Sequence, residues 1–232
     1  MNQLLKFVPR TFPLLNTFGY GLLLAISFIV SLFFLWRELH RSSFKEERII
    51  DMLFLSLCFG LALGRLTFFI TEKPAFALTV LNFFIVYIFP GFSLFGTVFG
   101  FFLCIYLLSK KYKENFVDVI HIFFVPFFTF FAVFSFLNML YRPLWQEGIR
   151  FILFSVVLFL LPRIQDMERT NKLTRRCMIA LFVVIFSAIE FCTNLTFGPG
   201  IRIAFPEVQQ WLFLLVLLLG SSKLVICYMK NK

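Results

Sequence analysis

Charge is scarce in this chain. Of its 232 residues, 15% are Asp, Glu, Lys or Arg and only two are histidine, whereas 60% are hydrophobic. A soluble domain of this length could not cover so much apolar surface, so the surrounding solvent must be lipid. Paired metal-binding or redox motifs are absent too. Cys58, Cys104, Cys177, Cys192 and Cys227 are scattered in or beside apolar runs, with no CxxC and no Cys/His spacing. Disulfide and zinc readings fall away, the cysteines read as packing residues, and neither a metal nor a cofactor is expected. The net charge of +10 invites a nucleic-acid reading. The basic residues, however, form short clusters between apolar runs, as membrane flanks do, so nucleic acid is excluded as a partner. The 38 phenylalanines read as packing and lipid-facing bulk.

What is present is a series of spanning runs. They predict an all-α integral membrane protein, a single transmembrane domain over 1–232 with spans at about 17–36, 49–72, 91–108, 116–139, 149–162, 177–197 and 208–229. The first run has no small-residue cleavage site after it, so it reads as a retained helix. The fifth is short, and Arg150 could extend it by snorkelling. Residues 76–89 are apolar but only 14 long, which suits an interfacial or re-entrant segment. Segments 37–48, 109–115, 163–176 and 230–232 carry fourteen Lys or Arg, and the alternate segments carry six. The richer set belongs in the cytoplasm, giving seven transmembrane helices with the N-terminus outside and the C-terminus inside.

Two charged residues stand inside these spans. Arg65 follows Gly60 and Gly64, and Glu190 lies in the outer half of the sixth span. Each costs about 3 kcal/mol or more at the centre of a membrane helix unless paired or wetted, so each is a functional candidate. They could equally neutralise one another as a structural pair. By counting residues from the span ends, Tyr20, Arg65, Ser93, Phe95, Asn138 and Glu190 fall at one depth, where a site would open to the outer leaflet. Asp118 and His121 fall at the cytoplasmic end of the fourth span and read as flanking residues.

The most informative stretch is Pro90-Gly-Phe-Ser-Leu-Phe-Gly-Thr-Val-Phe-Gly100. Gly96 and Gly100 share a helix face and would let another backbone approach. The stretch resembles the signature Gly-Gly-x-Ser-x-His-Gly-Gly-x-x-Gly of the prolipoprotein diacylglyceryl transferase family. Gly91, Ser93, Gly96 and Gly100 match, and Phe95 stands where the family has an essential histidine. Tyr20-Gly21 resembles the family's Tyr-Gly in the first helix, and Gly64-Arg65 its Gly-Arg step. Phe134-Ser-Phe-Leu-Asn138 is similar to part of the signature Gly-Arg-x-Gly-Asn-Phe-x-Asn-x-Glu, with Ala132 (or Val133) in place of its arginine. Glu147 could match a glutamate after the family's periplasmic head, which is here reduced to a short loop. Phe182, Phe186 and Glu190 resemble the row Tyr-x-x-x-Arg-x-x-x-Glu, keeping only the glutamate.

The resemblance implies transfer of a diacylglyceryl group from phosphatidylglycerol to a lipobox cysteine thiol, in lipoprotein biosynthesis at the bacterial inner (plasma) membrane. It implies Tyr20 and Glu190 as catalytic residues and Arg65, Ser93, Gly96, Asn138 and Arg142 as lipid- or phosphate-binding residues. The implied partners are an anionic phospholipid, phosphatidylglycerol, and the signal peptide of a lipoprotein precursor. The reaction needs a group that generates the thiolate and cations that hold the phosphate. A phenylalanine can do neither. The sequence thus favours a catalytically impaired, lipid-binding relative. An active divergent transferase and an unrelated multi-span transporter or structural protein are the alternatives.

Overall fold

The computed structural model describes residues 13–42, 44–72, 93–141, 145–169, 174–197 and 208–230, and all regular structure among them is helical. Seven helices follow in order among these residues: α1 (Pro13–His40), α2 (Glu46–Glu72), α3 (Leu94–Tyr112), α4 (Phe116–Tyr141), α5 (Trp145–Arg169), α6 (Arg175–Phe197) and α7 (Val208–Lys230). Each contains one of the apolar runs. The largest departure is α5, where the short run 149–162 lies within a helix of 25 residues. Hydropathy missed its ends because they are polar, and Pro162 does not break it. In α1, α2, α3, α4 and α6 the apolar stretch is long enough to cross a membrane, while that of α7, Gln210–Ile226, is shorter. The segment 76–89 lies outside the described residues.

The helix ends follow from local chemistry. Ser93 caps α3, its Oγ accepting from the amide of Gly96 at 3.2 Å. Lys113 closes the other end in the left-handed region (φ 58°), and the Glu114 amide reaches back to the Ser109 carbonyl at 2.9 Å. Asn115 then starts α4 by accepting from the Val117 amide.

Most of α4 is buried, with α1, α3, α5 and α6 packed around it, α2 mainly against α3 and α7 mainly against α6. Lipid is as apolar as these side chains, so water exclusion supplies little of the cohesion, which must come from close packing. Phenylalanine provides it. Phe124 and Phe128 of α4 meet Phe182 of α6 at 4.1 and 5.4 Å between ring centroids, and Phe131 meets both Phe186 and Phe154 at 5.1 and 5.5 Å. The hydroxyl of Ser31 adds a polar tie, donating to the Pro126 carbonyl at 2.8 Å and joining α1 to α4 at mid-length.

The closest approach is between α2 and α3. The Ser93 amide donates to the Gly64 carbonyl at 3.0 Å, a backbone bond across two helices. A Cβ on Gly60 would lie 2.8 Å from the Thr97 carbonyl oxygen, and one on Gly96 would lie 2.9 Å from that of Leu63. Gly60 and Gly100 face each other directly, since a Cβ on Gly100 would lie 3.0 Å from the Gly60 Cα. The small-residue spacing of both helices therefore serves a single crossing.

Ion pairs gather at one end of the bundle. His40 and Glu46 link α1 to α2 at 3.2 Å, Arg48 and Glu114 link α2 to the end of α3 at 2.9 Å, and Arg175 pairs with Asp118 to join the starts of α6 and α4. Asp118 is thus a flank that ties helix ends. The cysteine expectation is corrected at one position: Cys177 is disulfide-bonded, while Cys58 and Cys104 are free. Spacing rules see only cysteines near each other in sequence.

The crossing generates a direct prediction. Gly60→Ala and Gly96→Ala should each destabilise the protein by about 1–3 kcal/mol, because backbone must move to admit the methyl group. Gly21→Ala, with nothing within 4 Å of its added Cβ, should be neutral or slightly stabilising. Thermal unfolding in detergent measures all three, and equal melting points would contradict the crossing.

Candidate functional site

Two polar centres lie toward the end opposite the ion-paired one. The first is at the α2–α3 crossing. Arg65 is seven residues before the end of α2, roughly 10 Å along the axis. Its side chain is 2% exposed, and its guanidinium lies 4.7 Å from the ring centre of Phe69 and 5.8 Å from that of Phe68. These rings are one helical turn further along α2, and a desolvated cation over a ring gains about 2 kcal/mol. Ser93, fully buried, sits beside Gly64 through its amide, and its hydroxyl oxygen accepts the Gly96 cap bond. Gly96 contributes close backbone rather than a side chain.

The second centre lies between α5 and α6. Arg150 is five residues into α5, and Glu190 is seven residues before the end of α6. The Arg150 guanidinium bonds Glu190 Oε2 at 3.2 Å and Glu147 Oε1 at 3.1 Å, and its Nε donates to Thr193 Oγ1 at 3.2 Å. Thr193 donates in turn to the Ile189 carbonyl. Glu190 is 1% exposed, and Glu147 is buried as well. One guanidinium thus holds two buried carboxylates. Glu147 Oε2 is buried without a hydrogen-bond partner among the described residues.

Between the centres stands a row of rings. Phe95 of α3 meets Phe213 of α7 edge-on at 5.5 Å, and Phe213 meets Phe186 of α6 at 6.1 Å, one turn before Glu190. Phe95 also stacks on Phe99 at 6.1 Å. Where the motif has an imidazole, this chain has the first ring of a row that joins three helices.

Of the six residues expected at one depth, Phe95 heads the ring row, and the others are divided among the helices. Arg65, Ser93 and Gly96 share the α2–α3 corner, and Glu190 belongs to the α5–α6 cluster. Asn138 is buried near the end of α4, and Ala132, earlier in the same helix, is buried as well. Tyr20 lies in α1 next to Gly19, which abuts Tyr141 of α4, but its side chain is outside the described residues, as is Arg142 altogether. Glu190 pairs with Arg150, a partner that the sequence reading did not name. The sequence held a signal for it. Glu147-x-x-Arg150 places both groups on one face of α5, and Arg150 begins its helix at the depth where Glu190 approaches the end of its own.

The model of the prolipoprotein diacylglyceryl transferase family matches residues 11–135, more than half of the chain. The chain belongs to this family. No curated protein matches it. The matched residues include the α2–α3 crossing with Arg65, Ser93 and Phe95, so the glycine signature has a structural meaning in this member: it sets two backbones in contact beside a buried arginine. The match ends at Ser135, before the α5–α6 cluster.

Chemically, the first centre offers a cation and a buried backbone corner. The second offers carboxylates able to accept a proton, held by a cation they already occupy. Arg150→Met should cost about 3–5 kcal/mol, because it strands two carboxylates in a buried site. Combining it with Glu190→Gln should cost less than the sum of the two single changes. Unfolding in detergent micelles checks this, and strict additivity would contradict the contact.

Proposed function

We propose that this member of the family is a bacterial inner-membrane protein that binds an anionic phospholipid, phosphatidylglycerol, in its outer half without transferring the diacylglyceryl group. The observation that carries this reading is the environment of Phe95. Its ring packs among Phe99 and Phe213, so the position of the motif histidine holds no group that can take a proton from a thiol. Arg65 is kept at the glycine crossing and supplies the cation for a phosphate. Removing a charge-stabilising group typically costs ~10²–10³ in rate and removing a general base a further ~10²–10⁴. Ser93, Gly96, Asn138 and Arg142 complete the proposed lipid contacts.

A second reading, a divergent active transferase, draws on Glu147. A buried carboxylate oxygen with no partner among the described residues could accept the thiol proton, with Glu190 beside it on the same arginine. The lipobox thiolate would then displace glycerol phosphate from the diacylglyceryl carbon, and the signal peptide would be a second partner.

Complementation of a strain depleted of its own transferase separates the readings. The unmodified protein is expected not to rescue, while phosphatidylglycerol copurifies with it and is lost in Arg65→Ala. Phe95→His is also expected not to rescue, because an imidazole there faces Phe213 and would lack a polar partner. Rescue by the unmodified protein would establish the active reading.

The seven-span arrangement, N-terminus outside, is part of the same proposal. It is supported by the Lys/Arg asymmetry and by the ion pairs gathered at one end. Reporters fused after Lys113 and Lys172 should report cytoplasm, and one within 142–148 the outside. An outward reporter after Lys113 would overturn the orientation.

A further inference from the structure

A recess of about 630 Å³ lies between α1, α4 and α5, with its charged mouth at the ion-paired end. Val30, Val133, Phe136, Phe151 and Leu158 give it apolar walls, and Arg37, Glu38 and Arg41 line that mouth. Along α5 it extends from Phe151 to Gln165, about 21 Å at the helical rise, whereas one leaflet of hydrocarbon is about 15 Å deep. The recess can therefore take a whole acyl chain lying beside its headgroup.

The mouth is built for an anion. Arg37 and Arg41 share one carboxylate, Glu38, each at 3.7 Å, which leaves one positive charge in excess. Arg37 Nε is buried without a hydrogen-bond partner among the described residues. The Arg37 guanidinium is steadied over the Phe34 ring at 4.8 Å, so it faces the recess in a fixed position.

Thr129 fixes what lies deeper. Ser31 and Pro126 are level, because the Ser31 hydroxyl bonds the Pro126 carbonyl. Arg37 is six residues from that level in one direction and Thr129 three in the other, so they stand about 13 Å apart along the bundle. Thr129 is 4% exposed, lines the recess, and its hydroxyl has no partner among the described residues. Ser109 and Thr193 donate to a carbonyl one turn back, whereas the hydroxyl of buried Ser56, outside the recess, also has no partner among the described residues. Nothing polar meets Thr129, as expected where a methylene chain passes.

We propose that this recess binds an anionic phospholipid of the inner leaflet, its phosphate between Arg37 and Arg41 and one acyl chain along α4 and α5. It is separate from the outer-half lipid site, and its assignment to the inner leaflet rests on the proposed orientation.

The test is photolabelling of the full chain in phosphatidylcholine vesicles. The probe is phosphatidylglycerol with a diazirine midway along one acyl chain. Adducts are expected on the α4 and α5 peptides that carry Val133 and Leu158. They should fall on the order of tenfold or more in the Arg37→Gln/Arg41→Gln double variant, from about fivefold per arginine. Ser155→Trp, which fills the recess, should abolish them in protein whose melting point is retained. Arg65→Ala should remove only labelling near the outer-half site. Thr129→Val should leave the inner adducts unchanged, and excess glycerol phosphate should not compete. Equal labelling by the matching phosphatidylcholine probe would overturn the proposal, since that marks ordinary boundary lipid. Loss in Thr129→Val together with competition by glycerol phosphate would also overturn it, in favour of a soluble anion.

Discussion

The backbone bond from Ser93 to Gly64 is the constraint on which the α2–α3 corner of this protein depends. Two backbones can approach this closely only where small residues make room, and Gly60, Gly64, Gly96 and Gly100 do so, admitting Leu63, Thr67 and Thr97 of the facing helix against them. The crossing fixes the start of α3, and with it the directions of Ser93 and Phe95. On the other side it fixes Arg65, one residue from the bonded carbonyl. In a lipid solvent, where burial of apolar surface gives little cohesion between helices, a contact of this kind sets geometry that phenylalanine packing then fills.

Much of this was legible in the sequence. Four-residue glycine spacing in two separate runs announced a close crossing, and the helical character of the apolar runs and the arginine within one of them were visible in hydropathy. What could not be read was which helices meet. Arg65 and Glu190 have similar depths, and depth alone left them as candidate partners. Arg150 reaches Glu190 because α5 and α6 lie side by side, and neighbourhood around a bundle is not encoded in hydropathy. Spacing along the sequence likewise hid the pairing of Cys177. The extent of α5 was underestimated because its outer turn carries Glu147 and Arg150, polar residues that belong to the interior.

The two polar centres bear differently on function. Arg65 rests on aromatic faces and retains its place at the family's glycine signature, as a headgroup-binding cation would. In the α5–α6 cluster two carboxylates flank one guanidinium, a poor receptor for a phosphate but a plausible proton acceptor. The ring row of Phe95, Phe213 and Phe186 stands between them. A substrate thiol held near Arg65 would meet hydrocarbon where the motif supplies an imidazole. On this account the family scaffold keeps its lipid contacts while its acid–base path is interrupted by packing.

The most direct measurement is a transfer assay with purified protein, radiolabelled phosphatidylglycerol and a lipobox peptide, run with enzyme in excess so that a single turnover is detectable. The account predicts lipid retained on the protein and no diacylglyceryl thioether on the peptide. Formation of the thioether, abolished by Glu147→Gln or Glu190→Gln, would contradict it.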